Sequence, residues 1–272
     1  MEDFIGFFTH LTPIQKVLWI TACLTFFWLL EGAKPLFGGA YKKWSHAGKN
    51  LIFLGFTMII NLVMGALTAG MFAWGDSENF GLLKMVEWPW WLELLITVMW
   101  IDLIAQYTVH YFLHKVKWMW KFHMVHHSDT MVDATTGTRH HPGDYLIREV
   151  LALAATVALG APFAYYMFYR MSSVLFTYFS HANIRLPDWL DKSLSLVFIT
   201  PNVHKFHHHF ERPWTDTNFG NIFSFWDRIF GTLVYDDPKK VKYGLDVLDD
   251  ATAGDVKYQL KLPFNDSIKT DY

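Results

Sequence analysis

Histidine is the residue type in this sequence best suited to chemistry. Fourteen histidines are present among 272 residues, and twelve of them lie between His110 and His209. Eight of these form three boxes with the spacings H-x3-H, H-x2-H-H and H-x2-H-H. Residues three or four positions apart share one face of a helix, so each box presents its imidazoles to one point. A ninth histidine ends an otherwise apolar helix, and we expect all nine to be metal ligands. They are His110, His114, His123, His126, His127, His181, His204, His207 and His208.

The remaining five histidines are not assigned as ligands. His10 and His46 are interpreted as structural or surface residues. His140, His141 and His209 are interpreted as groups beside the site or at the surface. The alternative for the boxes as a whole is a set of interfacial histidines near a membrane, which the repeated H-x2-H-H spacing disfavours.

The number and type of the nitrogen ligands suggest which metal they hold. Imidazole suits zinc, copper, iron and nickel, but nine nitrogens exceed what one ion uses, whereas two ions account for them. The sequence has no H-E-x-x-H motif of zinc proteases and no paired Glu-x-x-His motifs of ferritin-like carboxylate bundles. A nearly all-histidine site at a membrane surface suits oxygen activation. We therefore expect two iron ions with O2 as co-substrate, and zinc as a substitute in purified protein because zinc binds more tightly than Fe(II).

The elements that position the boxes are apolar enough to lie in a membrane. The chain is 52% hydrophobic and 18% aromatic, and its 18% of charged residues falls short of the roughly 25% usual in soluble domains. Apolar stretches at 17–30, 51–74 and 88–111, the second of them uncharged throughout, are long enough to predict transmembrane helices. A fourth stretch, 151–179, is interrupted at 160–162 by Gly-Ala-Pro, which predicts a helical hairpin that enters the membrane and returns.

Loop charges predict the orientation of these helices. The first loop carries four lysines, whereas the second carries three acids against Lys84. By the positive-inside rule the first loop is cytoplasmic, so the histidine boxes and the C-terminus are also expected on the cytoplasmic side. The acidic start of the chain is unlike a cleaved signal peptide. A net charge of −2 excludes a nucleic-acid partner, and the single cysteine, Cys23, excludes an internal disulfide and a thiolate metal cluster.

Two aspartates are candidates to support the ligands. A spacing of four puts one face of the third helix in line with the first box, through Asp102, Gln106, His110 and His114. Asp102 therefore either orients a ligand histidine or lies near the interface, where water hydrates its carboxylate. Asp227 either supports the third box or forms a local pair with the adjacent arginine, and the local pair is the preferred interpretation.

The stretch from His110 to Leu233 resembles the fatty acid hydroxylase superfamily, which includes sterol desaturases, sterol and fatty acid hydroxylases, alkylglycerol monooxygenase and carotenoid hydroxylases. The three boxes match those of the family, and His181 matches its lone histidine before a short loop. The C-terminal signature matches residues 216–221, Asp-Thr-Asn-Phe-Gly-Asn, and 225–232, Phe-Trp-Asp-Arg-Ile-Phe-Gly-Thr. The overall form resembles bacterial proteins of the sterol desaturase family.

The resemblance implies an all-α fold. It predicts an integral-membrane bundle of about four transmembrane helices, the last pair a hairpin, with a cytosolic helical cap that carries the boxes. The expected regions are 1–109 with the first helices, 110–235 with the catalytic boxes and the hairpin, and a polar C-terminal segment at 236–272, all in one domain.

The implied activity is O2-dependent hydroxylation or desaturation of a lipid C–H bond, and a cavity lined by apolar residues would admit the lipid from the bilayer. The substrate is expected to be a sterol, a fatty-acyl lipid, an ether lipid or a carotenoid. No cytochrome b5 domain is fused, so electrons come from a separate cytochrome b5-like or ferredoxin-like donor. The alternatives are a histidine-rich metal-handling or transport protein of the membrane, and a relative whose metal site serves another reaction such as aldehyde cleavage.

Overall fold

The computed structural model describes residues 1–38 and 41–269, without the side chain of Asp250, and these residues form an all-α protein. No β-strand occurs among them; the isolated bridges Pro35–Ile184 and Phe198–Phe223 only join loops. The predicted fold class, a membrane-protein bundle of helices, is confirmed.

Twelve α-helices follow one another in the described ranges. They are α1 (Glu2–Thr9), α2 (Pro13–Ala33), α3 (Lys43–Ser77), α4 (Trp90–Lys115), α5 (Lys117–His127), α6 (Pro142–Leu159), α7 (Phe163–His181), α8 (Asp188–Leu194), α9 (Pro201–His207), α10 (Phe225–Ile229), α11 (Asp250–Ala253) and α12 (Val256–Lys261).

Three helices are long and apolar enough to cross a membrane. They are α2, α3 and α4, and their apolar windows are largely exposed on the outside of the protein. A Thr12 capping box and Pro13 at the first turn begin α2, so its start is encoded locally. Exposed Leu and Val side chains such as Leu62 and Val63 cover the outer face of α3. A surface of this kind suits lipid, and the predicted first three spans are confirmed as long apolar helices.

The predicted hairpin forms from α6 and α7, with its break at 160–162. Gly160 ends α6 with a left-handed φ of 74°, and Pro162 precedes α7. The tip packs against Gly81 so closely that a Cβ on Gly160 would lie 2.7 Å from the carbonyl oxygen of Phe80. Below the tip, α6 packs on α3 and α4, whereas α7 packs on α1 and α2.

Helix α4 contains a π-helical segment, Ile101–Thr108, immediately before the first histidine box. The wider turns of a π-helix shift the faces, so Asp102 does not share the face of the ligand histidines. Its carboxylate is fully buried and accepts hydrogen bonds from Tyr169 Oη at 2.6 Å and Trp226 Nε1 at 2.9 Å. Both predicted roles of Asp102 are therefore wrong, because this carboxylate joins α4 to α7 and to the signature segment near α10.

The polar C-terminal segment covers the outer side of α5. Leu245 and Leu262 pack against Trp120 and Met124, next to the second histidine box. Arg139, which is buried, links this segment to the bundle by donating to the carbonyl oxygens of Ala253 at 2.5 Å and Val125 at 2.9 Å. The division into 1–109, 110–235 and 236–272 stays a prediction; α4 runs through its first boundary.

The hairpin tip gives a stability prediction. Gly160→Ala should lower the free energy of unfolding by about 1–3 kcal/mol, because a side chain at a left-handed φ is strained and the added Cβ meets Phe80. Thermal unfolding of purified protein in detergent measures the change. Gly65→Ala is the matched control, since nothing lies within 4 Å of a Cβ there, and it should stabilise α3 by about 0.5–1 kcal/mol. Equal effects at both positions would contradict the prediction.

Candidate metal centre

The structure brings all nine predicted histidines together in two groups whose ligand atoms lie within 4.8 Å of one another. All nine side chains are buried. The group of five contains His110, His114, His123, His127 and His207. The group of four contains His126, His181, His204 and His208.

Each H-x2-H-H box contributes to both groups. His123 and His127, four positions apart on α5, join the group of five, whereas His126 between them joins the group of four. In the third box, His204 and His208 belong to the group of four and His207 to the group of five. Histidines of one box therefore point to different groups. Each of the two boxes supplies ligands to both groups, which brings the groups next to each other.

Nitrogen atoms within a group lie at the separations that a shared ion requires. In the group of four, His181 Nε2 lies 3.1 Å from His126 Nε2, 3.0 Å from His204 Nε2 and 3.2 Å from His208 Nε2. In the group of five, His123 Nε2 is 3.1 Å from His110 Nε2. Two imidazole nitrogens about 2.1 Å from one ion, at right angles, would be about 3.0 Å apart.

The backbone orients several of these rings. Nδ1 of His110 donates to the carbonyl of Phe219 at 2.8 Å, and Nδ1 of His207 donates to the carbonyl of Thr217 at 2.7 Å. Nδ1 of His181 donates to a carbonyl one helical turn earlier at 2.7 Å. A ring whose Nδ1 carries the proton leaves Nε2 as a bare acceptor, which is the form that ligates a metal.

Carboxylates lie beside two further rings in the group of five. Asp144 Oδ2 lies 3.3 Å from Nδ1 of His123, and Asp216 Oδ1 lies 3.3 Å from Nδ1 of His114. Asp144 also pairs with Arg148, Nε to Oδ1 3.1 Å. Burial raises the pKa of Asp216, but His114 and Lys115 outweigh it and hold that pKa at about 2, so the carboxylate stays ionised. Sequence reasoning missed the role of Asp144; the signal was its position in the first turn of α6, four residues from both His140 and Arg148.

Burial keeps the box histidines outside the membrane spans neutral. It lowers their pKa well below the usual value, and repulsion from neighbouring histidines adds to the shift. The pKa is lowered in this way for His123, His126, His127, His204, His207 and His208. The buried Nε2 atoms of His114 and His207 have no hydrogen-bond partner among the described residues. Neutral imidazoles with unpaired buried nitrogens are what bound metal ions would satisfy, so the residues present fit a metal centre.

Histidines outside the predicted set behave as neighbours of the site. His140 stacks on His126, with ring centroids 4.5 Å apart, and hydrogen-bonds Asp144 at 2.7 Å. His141 caps the start of α6, and Nδ1 of His209 accepts from the backbone N–H of Lys242 at 3.1 Å.

The two N-terminal histidines are structural groups. His10 bonds the carbonyl of Gly6 one turn earlier in α1 at 2.9 Å. His46 is partly buried and pairs with Asp129 and Asp133 at 2.8 and 3.1 Å, fastening the start of α3 to the loop after the second box.

The signature loop 219–220 is built by Asp227. Its carboxylate accepts from the backbone N–H of Phe219 at 2.8 Å and of Gly220 at 2.9 Å, and from the Thr232 hydroxyl at 2.7 Å. The expected local pair is wrong, because Arg228 donates instead to the carbonyl of Ser195 at 3.0 Å. Asp227 supports the first box rather than the third, through the Phe219 carbonyl that accepts from His110.

One cavity reaches from the helices to the histidines. It has a volume of about 180 Å³, and His126, His181 and His204 are among the residues that line it. The expected apolar lining is only partly correct: Leu54 and Val174 line it, but so do polar side chains. Those polar side chains include Asn61, Tyr145, Glu149, Arg170 and Asn221.

Curated relatives match more than half of the chain. Alkylglycerol monooxygenase of Danio rerio is 28% identical over 182 residues, 66% of this chain and 38% of the relative. Ornithine lipid hydroxylase of Rhizobium tropici is 26% identical over 147 residues, 54% of this chain and 43% of the relative. Alkylglycerol monooxygenase of Homo sapiens is 27% identical over 181 residues, 66% and 38% of the two chains. The chain thus spans less than half the length of these relatives, and no solved structure matches it.

Fold and site together define an integral-membrane helical protein with a histidine-rich centre suited to metal ions. Residues 94–232, just over half of the chain, match the fatty acid hydroxylase family. The matched region contains all nine histidines of the two groups and the signature loop. The chain belongs to the fatty acid hydroxylase family, and the resemblance seen in its boxes is confirmed.

The loop held by Asp227 gives a second prediction. Asp227→Asn should lower the free energy of unfolding by about 1–3 kcal/mol, because an amide cannot accept from both backbone N–H groups and leaves one buried donor unpaired. Hydrogen exchange at Phe219 and Gly220 should accelerate in parallel. Asp266→Asn, at an exposed ion pair with Lys121, should change neither quantity measurably. Unchanged exchange at the loop in Asp227→Asn would contradict the assignment.

Proposed function

We propose that this protein is a membrane-bound non-haem di-iron oxygenase that hydroxylates, or desaturates, a C–H bond of a lipid. The observation that carries the proposal is one cavity between membrane helices that ends at two adjacent groups of buried histidines. Lipid access and a metal centre therefore meet at one place. Family membership supports the reaction class, and the relatives' names, alkylglycerol monooxygenase and ornithine lipid hydroxylase, both describe oxygen insertion into lipids.

The two histidine groups are proposed as the ligands of one iron ion each. The nine histidines would hold the ions through Nε2, and the metal pair would supply the activation of O2. The chain's own contribution is positional: Thr217, Phe219 and Thr177 fix ring orientations through their carbonyls, Asp144 accepts from the His123 ring, and Asp216 lies 3.3 Å from Nδ1 of His114. Burial of the histidines limits the access of bulk water to the reacting atoms.

The substrate and the electron donor are each proposed as a chemical class. The substrate is proposed to be a sterol, a fatty-acyl lipid, an ether lipid or a carotenoid, which enters the cavity from the bilayer. Electrons are proposed to come from a separate cytochrome b5-like or ferredoxin-like protein. Hydroxylation is favoured over desaturation because both named relatives add oxygen.

The cytoplasmic location of the site is also a proposal. The lysines of the first loop, at the start of α3, lie on the same side as the boxes, since His46 of α3 pairs with Asp129 directly after the second box. The positive-inside rule then puts the boxes in the cytoplasm. The hairpin would cross from that side and return to it.

Metal content tests the two groups separately. Wild-type protein should hold one iron per group, and His126→Ala and His207→Ala should each lose metal from a different group, so that about one ion per chain remains. Elemental analysis of detergent-purified protein measures this, and circular dichroism checks that the helices are retained. His209→Ala is the control, because its ring lies in neither group. Wild-type protein with a single ion per chain, or equal metal loss in the control, would overturn the assignment.

Isotope labelling tests the reaction. Lipids from cells that express the wild type should contain a product heavier by one oxygen than those from cells with His126→Ala, and 18O2 should label that oxygen. Iron and reductant are supplied in both cultures, and His209→Ala should behave like the wild type. Oxygen derived from water, or identical lipid profiles for wild type and His126→Ala, would count against an oxygenase. Bound metal without any lipid product would favour a metal-handling protein.

A further inference from the structure

A charged pair lines the same cavity as the histidines. Arg170 Nη1 of α7 donates to Glu149 Oε1 of α6 at 2.5 Å. Arg170 lies roughly 16 Å along the helix axis from His181, at a rise of about 1.5 Å per residue. Ionisable side chains within a membrane bundle are costly, and they commonly mark a functional site.

Two neutral side chains join this pair. The Tyr145 hydroxyl accepts from Arg170 Nη2 at 3.1 Å and from Asn61 Nδ2 at 2.7 Å. Asn61 comes from the middle of α3, so three helices converge at this point. All four residues line the same cavity as His126, and we call them the polar cluster.

The polar cluster has unused hydrogen-bonding capacity. Among the described residues, no hydrogen-bond partner is found for Glu149 Oε2 or for Arg170 Nε. The two side chains neutralise each other, so the cluster offers no net charge to an ionised ligand. A neighbouring donor and acceptor are both satisfied by a hydroxyl group, which accepts and donates through one atom.

Part of the cavity wall is suited to a hydrocarbon chain. Ile20, Leu54, Met58 and Val174 line it. The cavity is therefore amphipathic, since the polar cluster, apolar side chains and histidines all line it. An amphiphile with a hydroxyl group satisfies all three regions, whereas a hydrocarbon without polar groups would leave the cluster unpaired.

We propose that Asn61, Tyr145, Glu149 and Arg170 bind a hydroxyl group of the lipid substrate and so determine which carbon reaches the histidines. The proposal rests on the proposed function in that the bound lipid is the one oxidised. It narrows the substrate class to hydroxyl-bearing lipids and assigns Arg170 and Glu149 as specificity-determining residues.

A double variant tests the proposal without leaving a lone buried charge. Removing one partner of a buried ion pair is strongly destabilising, whereas replacing both by apolar residues of similar size is tolerated. The test variant is Glu149→Leu with Arg170→Met. The matched control is Asp236→Leu with Lys240→Met, which removes an ion pair of the same 2.5 Å length that is exposed and lies outside the cavity.

The measurement is equilibrium binding to iron-loaded protein in nanodiscs without O2, so that no turnover occurs. The probes are 1-O-hexadecylglycerol and its 2,3-di-O-methyl ether, which keeps the chain but lacks O–H groups. Wild type and control should prefer the free hydroxyls by at least about tenfold. The test variant should lose this preference while its affinity for the di-ether and its thermal unfolding stay close to wild type.

Two results would overturn the proposal: equal binding of both probes by the wild type, or a preference that survives in the test variant. Failure of the proposed function is a different observation. The 18O2 experiment could yield no labelled lipid while the binding preference still depends on the polar cluster. The cluster would then be a lipid-binding site, and the proposed oxygenase activity would be wrong. If labelled lipid forms but the probes bind equally, the oxygenase activity is supported and the role of the polar cluster in hydroxyl binding is wrong.

Discussion

Nine imidazoles must be buried at one end of a membrane bundle, and most of the other polar features serve that requirement. A buried polar nitrogen without a partner is costly, and each ring has two nitrogens. Backbone carbonyls at Thr177, Thr217 and Phe219 satisfy one nitrogen on each of three rings. The opposite nitrogen of His110 lies 3.1 Å from His123 Nε2, and that of His181 lies 3.0 Å from His204 Nε2, an arrangement that a shared metal ion would stabilise. The backbone must therefore place these three carbonyls where each fixes the tautomer with the proton on Nδ1.

Carbonyls can hold imidazoles only if the loops that carry them are rigid, and buried carboxylates provide this. Asp227 closes the 219–220 loop, and Asp102 fixes the following residues by accepting from Trp226 and from the backbone N–H groups of Ile222 and Phe223 at 3.3 and 3.4 Å. Charge-assisted hydrogen bonds of this kind are stronger than neutral ones. The signature segment is thus fastened to α4, the helix that also carries the first box.

The third box has a comparable internal support. Lys205, between two histidines of the box, is completely buried and donates to the carbonyls of His181 and Val132. Burial lowers its pKa to about 7, although Glu31, Asp133 and Asp129 act in the opposite direction. Lys205 thereby ties the third box to the end of α7, where the lone histidine lies. A lysine in this position looks like a solvent-exposed residue in the sequence, and only its surroundings reveal its role.

The sequence by itself determined which histidines form the site and that the fold is a bundle of membrane helices. Histidine spacing predicts eight candidate ligands, because i, i+3 and i+4 positions share a helix face whatever surrounds them, and the ninth, His181, is predicted from its place at the end of an apolar helix. Apolar stretches predict the membrane helices, and Gly160 predicts the break in the hairpin, because these are local properties of the chain. Only the tertiary structure decided that His126 separates from His123 and His127, that Asp102 and Asp227 hold loops rather than ligands or arginines, and that the cavity carries a polar cluster. These features depend on helices that are distant in sequence, and on a π-helical turn that changes which face a residue occupies. A pattern read along one helix contains neither piece of information.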